Sequence, residues 1–380
     1  MHRIKLYLIS LLLLPLQALG QGLPLIQSYR ASEYGGGVQI WDIFIDNSNI
    51  VYFSHNDGIS TFDGKNWKHT KDSSISYIRC VSMGADHRLF VGGQSEFGYF
   101  KPNEFGKLEY TSLMDRFVDK ELEFSYVFSV AANSSIAVLT LKDKVMLYDM
   151  NSIKEIKSDC ERLRAYCVFD DILLFSMGEG ILKLQGTKFR PLPNLDIFKD
   201  DTFIIITEFT DKQLLICSEL SEIWIYDYGA TFTKNKQPNL RKIETTIDKN
   251  FKSELINQME YDPLRGTIHI CTMSKLYSID TLGNTKGIIS FDQGLVDKLI
   301  LSLKCDKLGN VWVGAGSGVS YVHTSSPIRY IDHRLGNPEH TNTILFNHDY
   351  SYFTNISGLS IMQTEDLHST PAKPLKQIVS

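Results

Sequence analysis

Cysteine is sparse in this sequence, and its placement excludes a cysteine-built metal site. The six residues Cys80, Cys160, Cys167, Cys217, Cys271 and Cys305 form no Cys-x-x-C pair, and none has metal-ligand spacing. Most sit inside apolar runs, the pattern of buried free thiols. Cys160 and Cys167 are the only close pair that an oxidising compartment would allow to bridge. A surplus of charge of one sign is missing too. The formal net charge is -5 and the pI about 6.1. Both signs are scattered along the chain, so no basic stripe is offered to a nucleic acid. Histidine motifs are absent: there is no His-Glu-x-x-His, no pair at i and i+4, and no His at ligand spacing from a Cys or carboxylate. No metal, no cofactor and no catalytic residue is therefore nominated.

Long apolar runs are also missing, with one exception at the start. His2, Arg3 and Lys5 precede an apolar core from Leu6 to Leu16, and Ala18-Leu19-Gly20 supplies a small-x-small cleavage pattern. Residues 1–20 read as a secretory signal peptide with Gln21 as the mature start, and no Cys follows to carry a lipid. Later apolar stretches, such as 299–303, are of strand length, so no span after residue 20 is expected. The reading is an exported chain, periplasmic or otherwise.

What fills the chain is a repeat. "DKLGNVWVGAGSGVSYV" (306–322) aligns without a gap on "DNSNIVYFSHNDGISTF" (46–62), placing Asp46 on Asp306, Tyr52 on Trp312 and Gly58 on Gly318. The same frame fits 89–100, 137–148, 173–184, 268–279 and 351–362, and fits 214–226 with one insertion, which makes eight copies. Each is an apolar segment, a polar loop and a second segment of high β-propensity, the grammar of an antiparallel hairpin. Gly58, Gly180, Gly318 and Gly358 recur where a left-handed backbone is expected. Glu96, Lys144 and Lys275 take that place elsewhere, where another turn type or mild strain is required.

A further apolar segment precedes each hairpin and a short polar one follows several of them. Three or four strands in about 43 residues is the size of a propeller blade. Runs such as "VFSVAA", "FIIITEF" and "LILSL" are apolar on both faces, as blades packed on two neighbours demand. The expected fold is all-β: a propeller of seven to eight blades, or one seven-bladed ring plus the first blade of a second. Residues 21–365 are assigned to it, and 366–380 to a C-terminal tail or a linker to a further domain. An unpaired eighth hairpin would leave strand edges open to association.

The stretch "QGLVDKLILSLKCDKLGNVWVGAGSGVSYV" resembles the two-component-regulator propeller repeat. Gly294, Leu295, Asp306, Gly309, Asn310, Trp312, Gly314, Gly318 and Val319 match it, while Ala315 stands where that family prefers Thr. The opening "GLPLIQSYRASEYGGGVQIWDIFIDNSNIVYFSHNDGISTFDGKNW" is similar to the N-terminal blade of exported Bacteroidetes-type sensors, and "SEFGYF" (95–100) fits the same pattern. In those hybrid histidine kinases and triple-tyrosine transcriptional regulators, a sensor propeller precedes a β-sandwich, a membrane helix and an output module. The resemblance implies periplasmic sensing, often of carbohydrate or another nutrient. The sequence shows no triple-tyrosine domain, kinase or helix-turn-helix, so the expectation is a sensor region given without an output part, either a fragment of a longer member or a free-standing propeller.

Several local patterns have structural readings. "GAGSG" (314–318) lacks the Gly-Lys-Ser/Thr of a P-loop and the helix of a nucleophile elbow, and reads as a hairpin loop. "YGGG" (34–37) reads as a flexible lead-in, or as backbone that a ligand approaches. Asp46, Asp86 and Asp306 read as turn residues accepting backbone N–H bonds, without the oxygen set that calcium needs. Ligands of propellers usually sit where the first strands of the blades begin. Those positions hold Gln39, Trp41, Tyr77, Arg79, Tyr126, Arg164, Tyr166, Asn257 and Lys298. Aromatic, amide and guanidinium groups suit a sugar; the bland reading is interblade packing with polar tips. The leading expectation is a non-catalytic ligand-sensing module for an oligosaccharide or other small molecule, with a homodimer possible. The alternatives are a propeller lyase or hydrolase acting on a polysaccharide or cyclic peptide, and a protein-interaction scaffold.

Overall fold

The structure, a computed structural model, describes residues 22–117, 124–157, 162–210, 212–232, 238–247, 251–326, 328–337, 340–364 and 374–379. The expected signal peptide and Cys160 lie outside these. The chain forms two compact units, one of Ile26–Thr324 and one in which the residues up to Leu25 join those from Ser325 onwards.

The larger unit is a seven-bladed propeller, each blade a four-stranded antiparallel sheet. The innermost strands are Ile40–Ile45, Cys80–Met83, Ser129–Ala132, Leu163–Val168, Ile205–Glu208, Ile256–Asp262 and Ile300–Cys305. Each lies beside the next, and the seventh lies beside the first, so the ring is closed. The outer strand of blade 7 is not its own: Ile26–Tyr29, from the N-terminus, pairs with Gly318–Val322 and completes that sheet. The second and third strands of all seven blades are the hairpins expected from the repeat.

Apolarity on both faces of the middle strands is explained by where the core lies. Seven hydrophobic clusters fill the seven spaces between neighbouring blades. The cluster between blades 7 and 1 holds Tyr29, Tyr34, Phe53, Trp312 and Val319. Trp312 stacks on Tyr321 at 4.3 Å and meets Phe53 edge-on at 5.3 Å. Blade contact is thus sealed by large apolar area that only a neighbouring blade can cover, at roughly 25 cal/mol per Å² removed from water.

Two turn expectations need correction. Gly58 and Gly318 have φ +142, an extended backbone open to glycine alone and not the left-handed helical well. The reason is close approach: a Cβ on Gly58 would fall inside the contact distance of the Thr70 carbonyl oxygen, and one on Gly318 inside that of Tyr29. Lys144 and Lys275 avoid positive φ, while in blade 2 Ser95 carries it at 52, ahead of Glu96. Asp306 accepts backbone N–H bonds from Leu308 and Asn310, and Asp46 accepts them from Ser48 and Ile50. Asp86 differs, at φ 56 with its carboxylate facing Arg88 at 3.4 Å.

The glycines of "YGGG" are not a loose lead-in. Gly36 packs on the His55 ring, where a Cβ would collide with Nε2, and Gly37 N–H donates to His55 Nδ1 at 3.1 Å. Cys167 is an exposed free thiol, while Cys80, Cys217 and Cys271 are buried and free.

The smaller unit holds a four-stranded antiparallel sheet of Thr343–Phe346, Tyr350–Asn355, Gly358–Gln363 and Lys376–Val379, and Leu23–Pro24 paired with Arg329–Tyr330. Its second and third strands are the hairpin of the eighth repeat. Its fourth lies in the segment expected as a tail. No helix among the described residues is long and apolar enough to cross a membrane.

Candidate functional site

Register fixes which end of the ring carries the candidate residues. The start of each inner strand pairs with the end of the second strand: Ile40 with His55, Cys80 with Gly92, Ser129 with Thr140, Leu163 with Ser176. The hairpin loops therefore surround the same end of the channel at which the inner strands begin. Backbone bonds tie them down. Tyr77 and Ile78 N–H donate to the Asn56 and His55 carbonyls, and Val127 N–H donates to Gly93.

Three candidates from successive blades come together here. The Arg79 guanidinium lies over the Trp41 ring at 4.8 Å and over the Tyr126 ring at 3.9 Å. Trp41 stands on the inner strand of blade 1, Arg79 just before that of blade 2, and Tyr126 before that of blade 3. Trp41 Nε1–H donates to Asn56 Oδ1 at 2.6 Å, and the Tyr126 backbone forms a β-bridge with Gln94, so the Trp41 ring and the Tyr126 backbone are tied to hairpin loops. Each cation–π contact contributes about 0.5–2 kcal/mol, depending on desolvation. Arg79 Nε is buried without a hydrogen-bond partner.

Arg164 and Tyr166 form a second pair, the guanidinium 5.6 Å from the ring centroid. Arg164 is exposed although it stands on an inner strand. Its field reaches Asp42 in blade 1, Cys80 in blade 2 and Cys271 in blade 6, which directs the guanidinium towards the axis. Tyr166 O–H donates to the Ile204 carbonyl of blade 5, and burial raises its pKa.

That bond is one of a series joining inner strands. Asp42 accepts from Val81 N–H at 3.0 Å, Ser82 Oγ from Ala132 N–H at 2.9 Å, and Ser129 Oγ from Ala165 N–H at 2.8 Å. Asn257 Nδ2–H donates to the Ile300 carbonyl at 2.6 Å, Gln258 Oε1 accepts from Leu303 N–H, and Lys304 pairs with Glu260 at 2.7 Å. Burial pushes the Asp42 carboxyl up to about 6, against two backbone N–H donors and the fields of Arg164 and Lys304. Asn257, Tyr166 and this series serve the joints between blades.

The remaining candidates stand apart. Gln39 immediately precedes the blade 1 inner strand. Tyr77 has φ 50 and is 42% exposed beside the hairpin of blade 1. Lys298 lies over Phe291 at 5.5 Å. Sequence reasoning missed Asn56, which orients Trp41; its signal was a carboxamide in the hairpin loop of the first repeat. It also missed His55, buried and pushed down to about 4 by burial, with its Nδ1 accepting from Gly37 and Asp57 N–H and its Nε2 beside Ser60 Oγ at 2.9 Å.

No protein-family model and no curated protein matches the chain. Solved structures do. One is the extracellular domain of a protein assigned as a hybrid two-component system from B. thetaiotaomicron, with TM-score 0.56, 16% identity, and coverage of 93% of this chain and 47% of that one. A second domain of the same description and organism gives TM-score 0.60 at 12% identity, covering 90% of this chain and 48% of that one. A streptogramin B lyase gives TM-score 0.57 at 11% identity, covering 79% of this chain and 97% of that one. The chain spans about half the length of the two-component-system domains. It has the β-propeller fold, and the solved structures that share it include these extracellular domains of B. thetaiotaomicron two-component systems.

Proposed function

We propose that this chain is an exported, ligand-sensing propeller module of a signalling regulator, binding a carbohydrate or similar nutrient at the channel end where the inner strands begin. It performs no chemistry itself; a ligand signals only through different affinities for two states of the receptor. The observation that carries this reading is the Trp41–Arg79–Tyr126 stack, contributed by three successive blades and held from behind by Asn56 and Gln94. Two aromatic rings beside a guanidinium suit a sugar ring by stacking and forked hydrogen bonding. The B. thetaiotaomicron domains support the sensing class.

The lyase neighbour supplies the second reading. His55, near the hairpin end, has both ring nitrogens engaged within the turn and is buried, which fits a structural part better than a base. Calorimetry of the mature chain against an oligosaccharide panel tests the proposal. Saturable binding is expected, weakened at least tenfold by Trp41→Ala, with the ligand recovered unchanged. Turnover of a bound ligand would select the lyase reading.

A further inference from the structure

Four lysines on the strands of this propeller are closely matched by carboxylates. Lys304 pairs with Glu260, Lys275 with Glu254, Lys242 with Glu222 and Lys183 with Asp171, all at 2.6–2.8 Å. Two carboxylates at the hairpin end are engaged as well: Glu96 accepts from Tyr110 and Ser112 hydroxyls, and Glu219 from the hydroxyl and N–H of Thr202. Arg79 and Arg164 are not paired in this way. Among the described residues neither guanidinium has a hydrogen-bond or ion-pair partner, and each lies beside an aromatic ring. Asp42, which feels the field of Arg164, gives its oxygens to Val81 and Ile43 N–H. Asp57 and Asp201 at this end form no ion pair with either arginine.

A chain of net charge -5 thus keeps two uncompensated guanidinium groups at the start of its inner strands, and exposes one towards the channel. Stacking on rings fixes a guanidinium plane while leaving its outward N–H groups unmatched, the arrangement suited to forked binding of a carboxylate or sulfate.

We infer that the channel mouth takes an anionic saccharide, one whose carboxylate or sulfate is held by Arg79 and Arg164 while its ring stacks on Trp41 or Tyr126. This rests on the sensing proposal and names the class of its ligand. The two anionic groups share one chemistry, and separate probes distinguish them.

The test titrates the full chain with an oligogalacturonate, a sulfated chondroitin oligosaccharide and a neutral galacto-oligosaccharide of matched length. At least one acidic probe is expected to bind tenfold or more tightly than the neutral one, with affinity falling as salt rises. Arg79→Gln and Arg164→Gln should each weaken that binding at least tenfold; Arg79→Lys should retain part of it. Thermal unfolding of each variant checks that the ring is intact. Equal or tighter binding of the neutral probe, acidic binding indifferent to both arginines, or no binding of any probe overturns the inference. Neutral preference leaves the sensing proposal standing, whereas acidic binding followed by cleavage sinks the sensing proposal and leaves the anion assignment.

Discussion

At the scale of single residues, burial sets the chemistry of His55. Its ring stands inside blade 1, with burial pushing it down to about 4 and the neighbouring His69 adding to the effect. The unfolded chain takes up a proton near 6.5, the folded chain not until about 4. Stability from this group is therefore full above pH 6.5 and is lost as pH falls through that window, by about 1–3 kcal/mol in all. Asp42 acts in the opposite sense, because its raised pKa favours the folded state as pH falls from about 6 towards 3.8. His55→Asn isolates the first effect, since Asn Oδ1 can accept the bonds that Nδ1 accepts. The unfolding free-energy difference between wild type and variant should shrink from pH 7 to pH 4.5. A difference constant across that range would contradict the assignment. This buried network was not legible in the sequence, because Gly37, Ser60 and His69 meet His55 only after the hairpin has formed.

Elements follow from local grammar more faithfully than residues do. Every hairpin of the seven blades was readable, because alternating apolar runs and short polar loops specify a hairpin without reference to distant chain. The glycine at the start of the third strand was readable as a position but not as a cause. At Gly318 the demand comes from the carbonyl of Tyr29 on the strand alongside it, which arrives from the other end of the chain. Gly318→Ala should accordingly cost more than 2 kcal/mol in denaturant unfolding. Gly106→Ala, at φ +71 with open space around it, should cost about 1 kcal/mol. Equal costs would show that backbone conformation alone, without close approach, accounts for the glycine. Arg79 illustrates the same limit: its residue type was suggestive, but its place between the rings of blades 1 and 3 depends on how three blades meet.

For the molecule as a whole, closure is the fact that sequence pattern conceals. Ile26–Tyr29 is four residues long, polar at two positions, and pairs with a strand some 290 residues away, so no periodicity marks it. Removing it should leave Gly318–Val322 as an open edge and strip Tyr29 from the core between blades 7 and 1. A chain lacking residues 22–30 is expected to unfold at lower denaturant and to associate in light scattering; unchanged midpoint and mass would contradict ring closure by this strand. The closed ring is also what brings Trp41, Arg79, Tyr126 and Arg164 to one mouth, and the functional proposal depends on that. A crystal structure with the tightest-binding oligosaccharide of the panel tests it most directly. The account predicts an intact ligand stacked on Trp41 or Tyr126 beside the Arg79 guanidinium. A ligand seated elsewhere, or a cleaved product at that mouth, would contradict it.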